Sequence, residues 1–182
     1  LRIIGCKLVH MSVSQALEFY GPVKDMLRRK LSPDIGVRAK SILEDAFQVP
    51  LPPETEEVLA EHIGVPYAYN QFERVVEFMA GRRPSECPAE ERDRPGRVGC
   101  LALAYEGEEA VAKIRDVLGP TDPTKAPHGT VRREFGSDVM VNTAHASDSP
   151  ENAQREMKIL NIRETNFPQL VKEAMEECKH DE

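Results

Sequence analysis

His145 is the residue whose chemistry stands out first. An imidazole is neutral and nucleophilic near neutral pH, so one held at the end of a strand can attack phosphorus and carry a phosphoryl group. Around it the stretch T-D-P-T-K-A-P-H-G-T-V-R-R-E-F-G-S-D-V-M-V-N-T-A-H-A-S-D-S-P-E-N-A-Q-R-E (121–156) supplies Thr121, Arg132, Arg133, Asn142, Ser147 and Glu156. Loops that present Arg, Thr and His beside a strand end suit phosphate. In isolation each residue has a plain structural reading as a solvated cation, a turn residue or a capping hydroxyl. Only their assembly lifts them above it.

The segments A-P-H-G-T-V-R-R-E-F-G (126–136) and N-T-A-H-A-S-D-S-P-E-N-A-Q-R-E (142–156) resemble the active-site segment of the nucleoside diphosphate kinases. That family reads approximately P-G-T-I-R-x-x-F-G and then N-x-x-H-x-S-D-S-x-E-x-A-x-x-E. His128, between Pro127 and Gly129, is a departure, although the interval from Thr121 to Arg132 agrees. The resemblance implies that His145 is transiently phosphorylated and that Glu156 orients its ring by accepting a hydrogen bond from the other nitrogen, with Ser147 beside it. It likewise makes Asn142 a contact to the sugar hydroxyl and phosphates, Arg115, Thr121 and Arg132 phosphate ligands, and Tyr20 a residue near the nucleotide. The implied activity is transfer of the γ-phosphoryl group from ATP or another nucleoside triphosphate to a nucleoside diphosphate, by a ping-pong route. Mg²⁺ would arrive with the nucleotide, since no carboxylate cluster forms a protein cage for it. A homo-oligomer is also implied.

The fold implied is α+β: a ferredoxin-like βαββαβ antiparallel sheet with helices on it. The family's first, central strand carries Lys-Pro-Asp, and it has no counterpart in this sequence. It would pair with strands at 98–105 and 139–144, whose buried N–H and C=O groups would otherwise cost about 1 to 3 kcal/mol each. We therefore expect the natural chain to extend before Leu1, or another element to fill the gap. Residues 1–182 read as a single domain of this kind, with a helical insertion at 21–69 and a loop insertion at 82–97. Gln71 stands where the family has an aromatic that stacks on the base, and Tyr67 or Tyr69 is a candidate substitute. These departures keep a second reading open, a catalytically weak or inactive nucleotide-binding or interaction module on the same fold.

The bounds agree with an ordinary globular chain: 182 residues, 40% hydrophobic, 30% charged. A net charge of −7 argues against a nucleic-acid-coating surface. Cys6, Cys87, Cys100 and Cys178 lack metal-type or redox-type spacing and read as reduced thiols, with Cys6 and Cys100 as small core residues. No apolar run is long enough for a membrane span and no signal peptide is visible, so a cytoplasmic location is expected.

Positioning elements follow from periodicity and caps. Ile4, Cys6 and Leu8 alternate as a strand, and Ser12 with Gln15 forms a capping box for the next helix. Prolines punctuate residues 21–69, predicting two short helices at 37–47 and 54–62, the second ended by Gly64. Phe72, Val75, Val76 and Met79 mark a core-facing helix capped by Asn70 and stopped by Gly81. Residues 82–97 predict a mobile surface loop. Residues 98–106 predict a strand buried on both faces, and 108–118 a helix ended by Gly119 that projects Arg115. Ser149 and Pro150 open a helix whose positive end faces the His145 segment, and residues 167–178 read as a terminal helix.

Overall fold

The computed structural model describes residues 1–162. They fall into two compact units, one of His10–Val98 and one of Leu1–Val9 with the described residues from Gly99 onward.

The helical unit begins with α1 (Val13–Phe19). Its capping box is formed: the Gln15 N–H donates to Ser12 Oγ and the Ser12 N–H to Gln15 Oε1, both at 3.1 Å. Ser12 is 4% exposed, so nothing but protein can satisfy the N–H groups its side chain serves. Ser12→Ala is therefore expected to lower stability by about 1 kcal/mol, measured as a reduced melting temperature by circular dichroism; an unchanged melt would mean the cap contributes nothing.

The two short helices expected in 21–69 are not what forms. Gly21–Phe47 is one helix, α2, running through Pro33. Thr55–Leu59 (α3) passes through a π-turn at Ala60–Gly64 directly into α4, Val65–Ala80. Proline removes a helical donor but does not forbid a helix that is held from outside. Here the outside support is close packing. A Cβ on Gly64 would lie 2.4 Å from the Ser32 carbonyl oxygen, and one on Gly36 would lie 2.5 Å from that of Glu56. Gly64 is thus a contact residue that lets α2 approach the π-turn, and not a stop. Lys40 adds an ion pair to Glu56 at 3.1 Å. Asn70 lies inside α4 and caps nothing, whereas Gly81, at φ +69°, ends α4 as expected. Met11, Val13, Phe72 and Val76 are enclosed at the centre of this unit.

Residues 82–97 are tied down rather than left as a free loop. Two short 3₁₀ turns, Pro84–Glu86 and Ala89–Glu91, bracket the buried Cys87. Arg92 donates to the carbonyls of Pro84 (3.1 Å) and Cys87 (3.3 Å), and Arg82 pairs with Glu91 at 2.7 Å. Buried Glu73 on α4 accepts from Arg83 and Ser85. Composition pointed to solvent; these specific acceptors decided otherwise.

In the other unit β1 (Arg2–Val9) pairs antiparallel with β2 (Cys100–Glu106), Leu8 opposite Leu101 and Cys6 opposite Leu103, with an irregularity between Ile3 and Gly5. The sheet is two-stranded among the described residues. Leu101 and Leu103 are exposed, so β2 is not covered on both faces there as expected. Cys6 and Cys100 are half-buried, and burial raises the Cys100 thiol above its ordinary value. The opposite face meets the end of α7 (Pro150–Ile159): Lys7 Nζ donates to the carbonyls of Leu160 and Asn161, both at 3.2 Å. The strand expected at 139–144 does not form. Asp138 Oδ1 takes the N–H groups of Met140 (2.7 Å) and Val141 (2.8 Å), and Thr143 adopts φ +76°. A strand needs a neighbour for those donors, and a side-chain acceptor in the same loop has captured them. α5 (Ala110–Leu118) and the short α6 (Val131–Phe135) complete the unit. The predicted helix at 167–178 and Cys178 lie outside the described residues.

Candidate active site

α7 supplies the fixed end of the site. Ser149 Oγ accepts from the Asn152 N–H at 3.1 Å and Pro150 follows in the first turn, so the helix begins just after the loop that carries His145. Glu156 is then presented from the helix with its side chain only 10% exposed. Its Oε2 lies 3.0 Å from His145 Nε2 and accepts from Ser147 Oγ at 2.6 Å. An ionised carboxylate has no proton to give, so it selects the tautomer with hydrogen on Nε2 and a lone pair on Nδ1. The imidazole is 42% exposed, so a buried acceptor orients an accessible ring.

The backbone before His145 is held by Arg132. The Ala144 N–H turns back to the Asn142 carbonyl at 2.9 Å across Thr143, whose left-handed φ is unfavourable for a β-branched residue. Arg132 clamps this turn, donating from Nε (3.2 Å) and Nη2 (2.8 Å) to the Ala144 carbonyl and from Nη1 to Gly119 at 2.8 Å. A guanidinium has five N–H donors, so three are committed to backbone and two are left over. Burial, and then the like charge of Arg115, lower the Arg132 guanidinium below its usual value. Asp148 is held below the ordinary carboxylate range first by the Asn152 amide and further by the charges of Arg115 and His145. Arg115 thus acts on both Arg132 and Asp148, and His145 on Asp148.

Of the residues expected at the site, His145, Ser147 and Glu156 are joined directly, Arg132 reaches the same loop, and Arg115 acts through its charge. Asn142 is turned onto its own loop, donating from Nδ2 to the Val139 carbonyl at 2.8 Å. Thr121 is exposed in the bend after Pro120 and is joined to the group by no hydrogen bond among the described residues. Tyr20 belongs to the helical unit, where it caps α1 and packs on Phe19 with ring centroids 4.9 Å apart. Of the proposed base-contact substitutes, Tyr69 has Lys24 Nζ 5.1 Å from its ring centroid. Gln71 accepts from Arg74 at 3.4 Å. Asn152 and Arg155 went unnoticed in the sequence, although Asn152 stands four residues from both Asp148 and Glu156, which is a usable signal.

A family model described as nucleoside diphosphate kinase matches residues 94–165, the segment that carries Arg115, Arg132, His145, Ser147 and Glu156. Over this segment the chain is similar to the nucleoside diphosphate kinases. Among relatives so named, that of Streptomyces avermitilis is 39% identical over 104 residues, 57% of this chain and 61% of the relative. That of Bdellovibrio bacteriovorus is 40% identical over 106 residues, 58% of this chain and 61% of the relative. For Hydrogenovibrio crunogenus identity rises to 52% over 57 residues, 31% of this chain and 40% of the relative. The chain thus spans less than two thirds of the length of these nucleoside diphosphate kinases. In fold it is similar to an NDP kinase from Pyrobaculum aerophilum, with a TM-score of 0.53 at 22% identity over 87% of this chain and 78% of that one. It is also similar to a nucleoside diphosphate kinase family protein from Babesia bovis, with a TM-score of 0.51 at 19% identity over 87% and 68%.

Proposed function

We propose that the chain transfers the γ-phosphoryl group of a nucleoside triphosphate such as ATP to a nucleoside diphosphate, by way of phosphorylated His145. The observation that carries this is the His145–Glu156–Ser147 contact. With hydrogen retained on Nε2 by Glu156, the Nδ1 lone pair attacks the γ-phosphorus, the bond from that phosphorus to the β,γ-bridging oxygen breaks, and a nucleoside diphosphate leaves. A terminal oxygen of a second diphosphate then attacks the phosphohistidine and breaks the N–P bond. Arg115 and the two uncommitted N–H groups of Arg132 meet the phosphates, with Thr121, Asn142 and Tyr20 as further nucleotide contacts. Mg²⁺ would enter as part of the substrate and neutralise its phosphates. We also read the two strands as part of a ferredoxin-like βαββαβ sheet, and the working protein as a cytoplasmic homo-oligomer. No helix among the described residues is long and apolar enough to cross a membrane.

The test is incubation with γ-labelled ATP and Mg²⁺. Acid-labile, alkali-stable label that added nucleoside diphosphate removes is expected; nucleotide binding without label would replace the kinase by a nucleotide-binding module. Glu156→Gln keeps the shape but can present an amide N–H₂ to the ring. It is expected to slow phosphorylation by about 10² to 10⁴-fold, read by quench-flow, and wild-type rates in this variant would show that the carboxylate does not orient His145.

A further inference from the structure

Asn152 and Arg155 stand at positions that the family pattern leaves open, yet they close a polar chain around the candidate nucleophile. Asn152 Nδ2 donates to Asp148 Oδ1 at 2.6 Å, and its Oδ1 accepts from Arg155 Nε at 3.5 Å. Arg155 Nη2 then reaches Glu156 Oε1 at 3.5 Å. The other Glu156 oxygen is the one that receives both His145 and Ser147. The spacing is helical: Asp148 to Asn152 and Asn152 to Glu156 are four residues apart, and Asn152 to Arg155 three.

Glu156 is a nearly enclosed carboxylate with two donors on one oxygen, and its usefulness depends on two conditions. It must stay ionised, because a protonated carboxyl would be a donor and would cease to select the Nε2–H tautomer. It must also keep Oε2 toward His145. A guanidinium at Oε1 serves the second condition, resisting rotation that exchanges the oxygens. Arg155 has its own guanidinium direction set by the Asn152 amide, and that amide is set in turn by Asp148, three residues after His145.

We infer that Asn152 and Arg155 are positioning residues that hold the Glu156 carboxylate in place, with Oε2 toward His145, and so keep the lone pair of His145 on Nδ1. For catalysis this rests on His145 being the phosphoryl carrier. It also specifies where selectivity in the chain arises: the amide orientation at 152 must point oxygen to Arg155 and nitrogen to Asp148, so Asn152→Asp would set two carboxylates against each other.

The experiment combines kinetics with imidazole tautomer measurement on the full chain. With ¹⁵N-histidine labelling, wild type is expected to show an Nε2–H, Nδ1-unprotonated ring at residue 145, and Arg155→Gln a mixture of tautomers. In the same variant kcat is expected to fall about tenfold while KM for nucleoside diphosphates stays within about twofold, and Arg155→Lys to recover most of kcat. Asn152→Leu should shift the tautomer in the same direction as Arg155→Gln. Should Arg155→Gln retain the wild-type tautomer, the inference is overturned, even if kcat falls with the melting temperature. A rise in KM at constant kcat also overturns it, since that signifies substrate binding. Absence of label on wild type would instead sink the kinase reading and leave the tautomer result to judge Asn152 and Arg155 separately.

Discussion

His145→Ala is expected to abolish acid-labile labelling and to lower phosphotransfer by at least about 10⁴-fold, since removing a covalent nucleophile takes away the step itself rather than a contribution to it. Among the described residues no other histidine can take over by the same geometry. Among the described residues only His145 is hydrogen-bonded to a buried carboxylate, and His128, though on the loop that shares a cavity lining with Arg115, is not. The His145 imidazole is 42% exposed and contributes little packing, so the melting temperature of the variant should stay close to wild type. That separation makes the result interpretable: inactive protein with a wild-type melt assigns the loss to chemistry. Persistent label on His145→Ala would move the phosphoryl acceptor to another side chain, and mapping the labelled peptide would show which.

The parts of this arrangement that were legible in advance are local ones. Ser12 and Gln15 reach each other across one helical turn, and Ser149 with Pro150 starts α7 by the same short-range chemistry. Gly119 ends α5, placing Arg115 in its last turn. The His145–Ser147–Glu156 contact was legible only through resemblance, because a loop and the second turn of a helix meet by a geometry that no periodicity encodes. What failed depended on partners distant in sequence. Prolines 22, 33 and 66 suggested breaks, but Gly36 and Gly64 bring backbones close enough for packing to sustain long helices through them. Residues 139–144 have strand-like composition, but without a neighbouring strand among the described residues Asp138 gathers their donors into a turn. Arg132 shows the mixed case: its place near the site was expected, while its use as a clamp on the Ala144 carbonyl was not.

Arg83→Ala should be among the most damaging changes to stability, through the charge it leaves behind. Glu73 has a side chain 6% exposed and accepts from Arg83 Nε (3.1 Å), the Ser85 N–H (2.9 Å) and Ser85 Oγ (3.0 Å). The two serine donors satisfy hydrogen bonding but bring no positive charge, so deleting Arg83 leaves a buried anion without its counterion. Such losses cost about 3 to 5 kcal/mol. Arg83 is itself 23% exposed, which lets water replace part of the pairing and places the expectation near the lower bound, at about 3 kcal/mol. Urea unfolding followed by circular dichroism would read this as a lower midpoint with an unchanged slope. Glu73→Gln retains an acceptor for Ser85 while removing the charge, so it should cost less, and adding Arg83→Ala to it should cost little more. A double-mutant cycle would then give a coupling of about 2 kcal/mol, whereas additive losses would mean that the two side chains act independently. The consequence for the fold is specific: residues 82–97, whose composition resembles a solvated loop, are tied to α4 through the buried Glu73 carboxylate as well as the Arg97 N–H on the Ala80 carbonyl, and releasing that carboxylate's counterion should make this segment the first to gain protease sensitivity.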